Sequence, residues 1–189
     1  NKYQKKYSPF VKKTKKIKFF NGGRYRSESA KKGIKKLYQN YTHVLIHDAA
    51  RPNFTIKLVI KLIKELKKKN SCVVPVITSS DTTVYEKRYV DRSKIKFLQT
   101  PQAFNLNEIY KYHKKNKNKN ISDDSILFFQ NKQKIKFING EIENKKITFI
   151  KDINAKDKYH GIGYDIHQMT KGNGLYIGGV KIPSEFRSV

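Results

Sequence analysis

The sequence holds one cysteine, Cys72, in 189 residues. No disulfide framework can form within the chain, which points to a reducing compartment and a cytoplasmic setting. Cys72 lies in the apolar run Cys72-Val73-Val74-Pro75-Val76 and reads as a small core residue. No apolar stretch approaches the roughly 20 residues needed to span a bilayer, and no signal-peptide pattern opens the chain. Acidic residues are scarce, 15 Asp and Glu against 42 Lys and Arg, giving a formal net charge of +27. Nothing before Asn21 is glycine-rich. An initiating Met is also lacking: the chain runs from Asn1-Lys2-Tyr3 to Val189, and a segment of a longer protein is expected.

What is present suffices for a core. Hydrophobic residues make up 37% and aromatics 12%, enough for one α/β domain, or one domain and a piece of another. The charge has two explanations. A basic surface binds nucleic acid, anionic lipid or anionic substrates; alternatively, lysine is used wherever the fold tolerates it. The lysines favour the second, because they occur in nearly every element, including Lys57, Lys61, Lys64 and Lys67 on one helix, and form no single stripe.

Periodicity gives the elements. Ile17 to Phe20 reads as a short strand before the turn Asn21-Gly22-Gly23, and a helix follows with Ala30, Ile34 and Leu37 on one face. Thr42 to Ile46 is a strand. Asn53 to Lys69 is an amphipathic helix with Ile56, Val59, Ile60, Ile63 and Leu66 inward. Cys72 to Val76 is a buried strand. This alternation predicts an α/β, doubly wound, mostly parallel sheet. Val84-Tyr85 and Tyr89-Val90 around Glu86-Lys87-Arg88 resemble a hairpin arm of the kind that packs on a partner subunit. Ile95 to Leu98 and Ile135 to Ile138 are further strands, and helices are expected over Asn105 to His113 and near Phe149 to Asn154. Leu175 to Val180 reads as one more strand.

Loops that follow strands are where ligands bind in open α/β sheets. His47-Asp48-Ala49-Ala50-Arg51-Pro52 is one, with small alanines, a carboxylate and a guanidinium fork suited to phosphate. It reads equally as a turn whose Asp and Arg pair. Gln99-Thr100-Pro101-Gln102-Ala103-Phe104 is a second such loop. Gly22-Gly23 lets the backbone run close to a flat ligand, and Ser29 either bonds that ligand or caps the helix. Ser122-Asp123-Asp124-Ser125 reads as a helix start, capped by Ser122 with acids at the positive end, in preference to a metal site. Asn154 to Lys158 reads as a linker. Beyond it, Asp165 and His167 alternate on one strand face, a weak zinc-type pair.

Taken in order, Gly22-Gly23 with Arg26 and Ser29, His47 to Pro52, Asp81-Thr82, Asp91-Arg92, Gln99 to Phe104, Ser122-Asp123-Asp124 and Asn144 to Thr148 resemble the methylerythritol phosphate cytidylyltransferases of the non-mevalonate isoprenoid pathway. The match covers roughly residues 15 to 155. The tail His160 to Val189, with Gly161-Ile162-Gly163-Tyr164-Asp165-Ile166-His167 and Leu175 to Pro183, resembles the start of methylerythritol cyclodiphosphate synthases. The resemblance implies residues 1–155 as the C-terminal part of a Rossmann-like nucleotidyltransferase domain and 156–189 as the start of a synthase domain, in a bifunctional fusion.

It also implies a chemistry. The phosphate oxygen of 2-C-methyl-D-erythritol 4-phosphate attacks the α-phosphate of CTP and pyrophosphate leaves, with Mg²⁺ accompanying the nucleotide. By this resemblance Gly23 and Ser29 read cytosine, Ala49 lies on the ribose, and Asp48, Arg51 and Thr100 hold the acceptor. Lys146 contacts phosphate near the reacting centre, and Thr82 and Arg92 reach the neighbouring subunit's substrate through a dimerising arm around 78–92; Lys146 and Arg92 are the catalytic candidates. Asp165 and His167 are two ligands of a Zn²⁺-type site in the synthase part, which the family builds as a trimer. The glycine-rich triphosphate loop, the first strand and helix, and a third zinc ligand have no counterpart, and position 24 is Arg in place of a shorter residue. The segment alone is therefore expected to catalyse neither reaction. Two other readings remain: a basic nucleic-acid-binding α/β protein, and a related sugar-nucleotide transferase with another acceptor.

Overall fold

Six of the seven residues of Cys72–Thr78 are apolar, and they form the strand on which the sheet is built. The computed structural model describes residues 17, 19–118, 120–153, 168–177 and 180–188. Its elements are helix α1 (Arg26–Leu37), β1 (His43–Ile46), α2 (Ile56–Lys67), β2 (Cys72–Thr78), β3 (Thr83–Tyr85), β4 (Arg88–Val90), β5 (Lys96–Leu98), β6 (Gln102–Asn105), α3 (Leu106–Lys115), α4 (Ile126–Gln130), β7 (Lys136–Asn139), α5 (Ile150–Ile153) and strands β8 (Met169–Lys171), β9 (Leu175–Ile177), β10 (Val180–Ile182) and β11 (Phe186–Ser188). The first five residues of β2 are buried, as a strand covered on both faces requires. Ile17, Phe19 and Phe20 are exposed and lie outside any strand, contrary to the sequence expectation.

On one edge of β2, β6 and then β5 run antiparallel to it; on the other, β7 runs parallel. β1 pairs antiparallel with β6, from His43 opposite Asn105 to Ile46 opposite Gln102. Strands β1, β2 and β7 thus share a direction, as the alternating pattern predicts. The pairing itself is mixed, because the chain inserts β6 between β1 and β2. Gln102 to Phe104, expected in a loop, are strand residues, and Phe104 is fully buried.

A bulge breaks the ladder beside β2. Val73 faces Ala103 and Val76 faces Leu98, so Val74 and Pro75 oppose Gln99 to Gln102. Proline has no N–H to give a ladder, and here the partner strand bows outward, with Gln99 N donating to the Pro75 carbonyl at 2.8 Å. The extra residues of the bulge become available to the loop cluster.

Each face of the sheet carries its own core. Val74, Val76, Phe104, Leu106, Ile109 and Phe128 belong to one cluster; Leu58, Leu62, Leu66, Val73, Ala103 and Ile138 form the other. Helix α1 packs as its pattern predicts, with Ile34 buried. Helix α2 turns differently. It buries Leu58, Leu62 and Leu66, each worth about 1.5–3 kcal/mol, and leaves Ile56 77%, Ile60 47% and Ile63 38% exposed. Apolar residues cover more than half of that helix, so two faces fit the periodicity and the sheet decides. Thr55 caps α2 by accepting from Leu58 N.

Ser125, not Ser122, stands at the N-cap of α4. β3 and β4 form an antiparallel hairpin apart from the main sheet, turning through Glu86 and Lys87, both at positive φ. That pair of left-handed residues matches the twist a two-residue hairpin turn requires.

The chain divides into two compact units, ending at Phe149 and beginning at Ile150. In the second, β9 pairs antiparallel with β10 and β8 with β11. The run Leu175 to Val180 is therefore split between two antiparallel strands. Gly174, at φ +102°, makes a turn that disfavours a side chain. Asp165 and His167 lie outside the described residues, as does the segment before Ile17. No described helix is long and apolar enough to cross a membrane.

Candidate functional site

β1 ends at Ile46 and the chain turns at once, Arg51 N donating to the Asp48 carbonyl at 2.9 Å. This turn leaves Ala49 exposed. The His47 ring packs edge-on against Phe54, with Nε2 2.9 Å from the Arg51 carbonyl and Nδ1 3.2 Å from Thr100 Oγ1. Thr100 comes from the β5–β6 bulge, and its hydroxyl accepts from Asp48 N at 3.0 Å.

A third segment, following β7, locks onto these two. Asn144 is fully buried and donates to the Thr100 carbonyl at 2.8 Å. Gln99 bridges Glu141 from both ends of its amide, and Ile147 N donates to the Ala50 carbonyl at 2.8 Å. Arg51 donates through its two terminal nitrogens to the carbonyls of Asn144 (2.7 Å) and Leu98 (3.3 Å). Its fork thus ties loops together instead of standing open, and no ion pair joins it to Asp48 among the described residues. Burial lowers the Arg51 pKa, with Asp48 and Asp123 opposing that effect. Among the described residues, the buried side-chain atoms Arg51 Nε, Gln102 Oε1 and Asn144 Oδ1 have no hydrogen-bond partner.

Asp48 is bound from two sides. Oδ1 accepts from Arg26 Nε at 3.2 Å and Oδ2 faces Lys146 Nζ at 3.4 Å. Burial pushes this carboxyl up, but Arg26 and Lys146 outweigh it and hold the group below its usual range. Behind Arg26, its NH1 donates to Asp124 Oδ2 at 2.7 Å, and Asp124 Oδ1 lies 3.0 Å from His113 Nε2. Asp124 is wholly buried. Its desolvation is overcome by His113 and Arg26, so its pKa also lies low. Arg26 loses charge stability to burial and regains more from Asp124 and Asp48.

The glycine turn sits at the start of α1. Gly23 N donates to Ser29 Oγ at 2.9 Å, and Ser29 Oγ donates to the Tyr25 carbonyl at 3.3 Å. A side chain at Gly23 would run into Glu28. Thr82 and Arg92 lie on and beside the hairpin; Arg92 donates to the Ser80 carbonyl at 2.7 Å, and both residues are exposed. Among the sequence candidates, Asp48, Thr100 and Lys146 come together directly, with Arg51 bracing their loops. Gly23 and Ser29 meet each other.

Sequence reasoning passed over Arg26 as a site residue, along with His113 and the buried role of Asp124. It read Asp123-Asp124 as helix-start acids; Asp123 stands just before the Ser125 N-cap, outside the first turn, and its carboxylate accepts from Ser125 N and from Gln102 Nε2. The partners of Asp124 lie 11 and 98 residues away in sequence, and no local spacing encodes such contacts. Among the described residues no group of three or more His, Cys, Asp and Glu could hold a metal.

The chain is 43% identical over 189 residues to the bifunctional enzyme IspD/IspF of Pelagibacter ubique, covering 95% of this chain and 50% of that protein. It spans about half the length of the curated relatives it matches. Among solved structures, the bifunctional IspDF of Campylobacter jejuni matches with a TM-score of 0.69 at 30% identity over 95% of this chain and 49% of that one. The 4-diphosphocytidyl-2C-methyl-D-erythritol synthase of Anaerococcus prevotii matches with a TM-score of 0.73 at 31% identity over 81% and 72%. The family model for 2-C-methyl-D-erythritol 4-phosphate cytidylyltransferase matches residues 1–160. The chain belongs to the 2-C-methyl-D-erythritol 4-phosphate cytidylyltransferase family.

Proposed function

We propose that these residues form the acceptor side of an enzyme that transfers a cytidylyl group from CTP to 2-C-methyl-D-erythritol 4-phosphate. The products are 4-diphosphocytidyl-2-C-methyl-D-erythritol and pyrophosphate, within isoprenoid biosynthesis. The observation that supports this most is the convergence of Asp48, Thr100 and Lys146 from three separate loops at one end of the sheet. A carboxylate orients sugar hydroxyls, and an ammonium neutralises phosphate.

In the reaction the acceptor's phosphate oxygen forms a bond to the α-phosphorus of CTP as the α–β phosphoanhydride bond breaks, and the electron pair leaves on pyrophosphate. Such transfers depend on positioning and charge neutralisation. Lys146 draws the acceptor phosphate toward the reacting centre, and Asp48 holds the hydroxyls. Thr100 fixes the Asp48 backbone. Gly23 and Ser29 face cytosine, and Ala49 leaves room for ribose. Thr82 and Arg92 serve a neighbouring subunit's site through a homodimer made by the arm. A divalent cation, Mg²⁺, is expected to arrive with the triphosphate. Both Asp48 oxygens already face cations, so the described residues do not fit a protein-built metal site.

The second unit is proposed as the start of a synthase (lyase) domain, trimeric in the full protein, with Asp165 and His167 contributing to a Zn²⁺-type site. Burial raises the Cys72 thiol well above its ordinary pKa, which suits a structural thiol in a cytoplasmic protein.

The test is pyrophosphate release by the protein with its natural flanking sequence. Release that needs both CTP and the acceptor supports the reading. Tight, salt-sensitive binding of unrelated DNA without response to CTP would favour the nucleic-acid reading, and release with another phosphorylated acceptor would favour the related transferase.

A further inference from the structure

The alternating chain Lys146–Asp48–Arg26–Asp124–His113 runs from solvent to core. Side-chain exposure falls from 50% at Lys146 to 2% at His113 and 0% at Asp124. Its buried end needs an explanation. A buried ion pair is seldom a stabilising choice over apolar side chains of the same volume, because desolvation offsets the attraction. What it provides well is a fixed direction.

The direction is legible in the contacts. Arg26 opens α1 and is held by two carboxylates at once: NH1 to Asp124 Oδ2 at 2.7 Å, Nε to Asp48 Oδ1 at 3.2 Å. With NH1 anchored, Arg26 reaches Asp48 through Nε alone. Asp48 Oδ2 is then left for Lys146 and for a ligand. Without the anchor, the guanidinium is free to turn and take Asp48 in a two-pronged grip, drawing the carboxylate away from Lys146. Asp124 is held in turn by His113, from the far end of α3. Arg26 also stands three residues after Gly23, so the same anchor fixes the start of α1 where the glycine turn closes on Ser29.

We propose that Asp124, braced by His113, is a positioning residue that clamps Arg26 and thereby sets both the orientation of Asp48 and the spacing between the glycine turn and the acceptor loops. This rests on the acceptor-site reading above. It predicts that Asp124 acts on catalysis only through Arg26.

The experiment is a double-mutant cycle in the protein with its natural flanking sequence, using Asp124→Asn, Arg26→Gln and the double variant. In Asp124→Asn the amide oxygen still faces His113, while the amide N–H₂ opposes Arg26. Misplacement of the Asp48 carboxylate should lower kcat/KM for the acceptor roughly tenfold to a hundredfold, while the KM for CTP shifts less. Adding Asp124→Asn to Arg26→Gln should cost no further activity. Additive losses, or an Asp124→Asn variant with wild-type kinetics, overturn the proposal. Should Asp124→Asn fail to fold, Arg26→Lys decides: lysine keeps the charge but offers one nitrogen in place of the separate Nε and NH1 that fix Asp48 and Asp124, so the acceptor kcat/KM must fall with the melting temperature nearly kept, and unchanged kinetics overturn the proposal. A wild-type protein that releases no pyrophosphate marks failure of the function reading instead.

Discussion

The loop cluster at the end of β1 and the hairpin of β3 and β4 carry candidate residues of one reaction, yet they are built in opposite ways. In the cluster, the acceptor candidates are bound to their neighbours. Thr100 bonds Asp48, Asn144 bonds Thr100, Arg51 bonds Asn144, and Asp48 lies between Arg26 and Lys146. In the hairpin, Val84 is 57%, Tyr85 66% and Tyr89 83% exposed, and Thr82 and Arg92 face solvent beside them. Preorganised groups stabilise a transition state without rearranging. The cluster has that property within one chain, whereas the arm leaves its apolar side chains exposed.

The comparison breaks first at Lys146. Lys146→Ala should lower kcat by about 10²–10³, as loss of one charge-stabilising donor does, with the melting temperature almost unchanged; steady-state kinetics beside a thermal melt check both. The arm gives an effect of the same size. Arg92→Ala should be as inactive as Lys146→Ala when pure, but mixing the two should restore activity, because some mixed dimers keep one intact site. No recovery on mixing would place Arg92 in its own subunit's site or outside any site.

Acid sharpens the contrast. Asp48 and Asp124 have folded pKa values below their unfolded ones. Their stabilisation is therefore fully present above the unfolded value of about 3.9 and is lost as pH falls through the lower folded values. The melting temperature should fall steeply across that acid window, and Asp124→Asn should flatten the drop. Mutating Tyr85 or Tyr89 of the arm should leave it unaltered. The smallest effect is expected at the lysines of α2: Lys64→Gln should change stability by no more than about 0.5 kcal/mol and leave the acceptor KM unchanged, since the positive charge is spread over the elements.

The sequence made visible whatever depends on local pattern. The apolar run of β2, the glycine turn, the hairpin and the loop after β1 stand at their expected places, because two-residue and 3.6-residue periods and turn residues are local signals. Non-local packing was hidden. Helix α2 had enough isoleucine and leucine to bury either face, and the covering sheet chose Leu58, Leu62 and Leu66. The insertion of β6 between β1 and β2 left no mark in alternation. Likewise, nothing near Asp124 in sequence announced Arg26 or His113.

The most direct measurement is the structure of the protein with CTP and 2-C-methyl-D-erythritol 4-phosphate bound. The account predicts the acceptor's hydroxyls on Asp48, its phosphate beside Lys146 and Thr100, and Arg26 still joined to both Asp48 and Asp124. An acceptor seated away from these loops, with Asp48 and Lys146 still paired only to each other and Arg26, would contradict it.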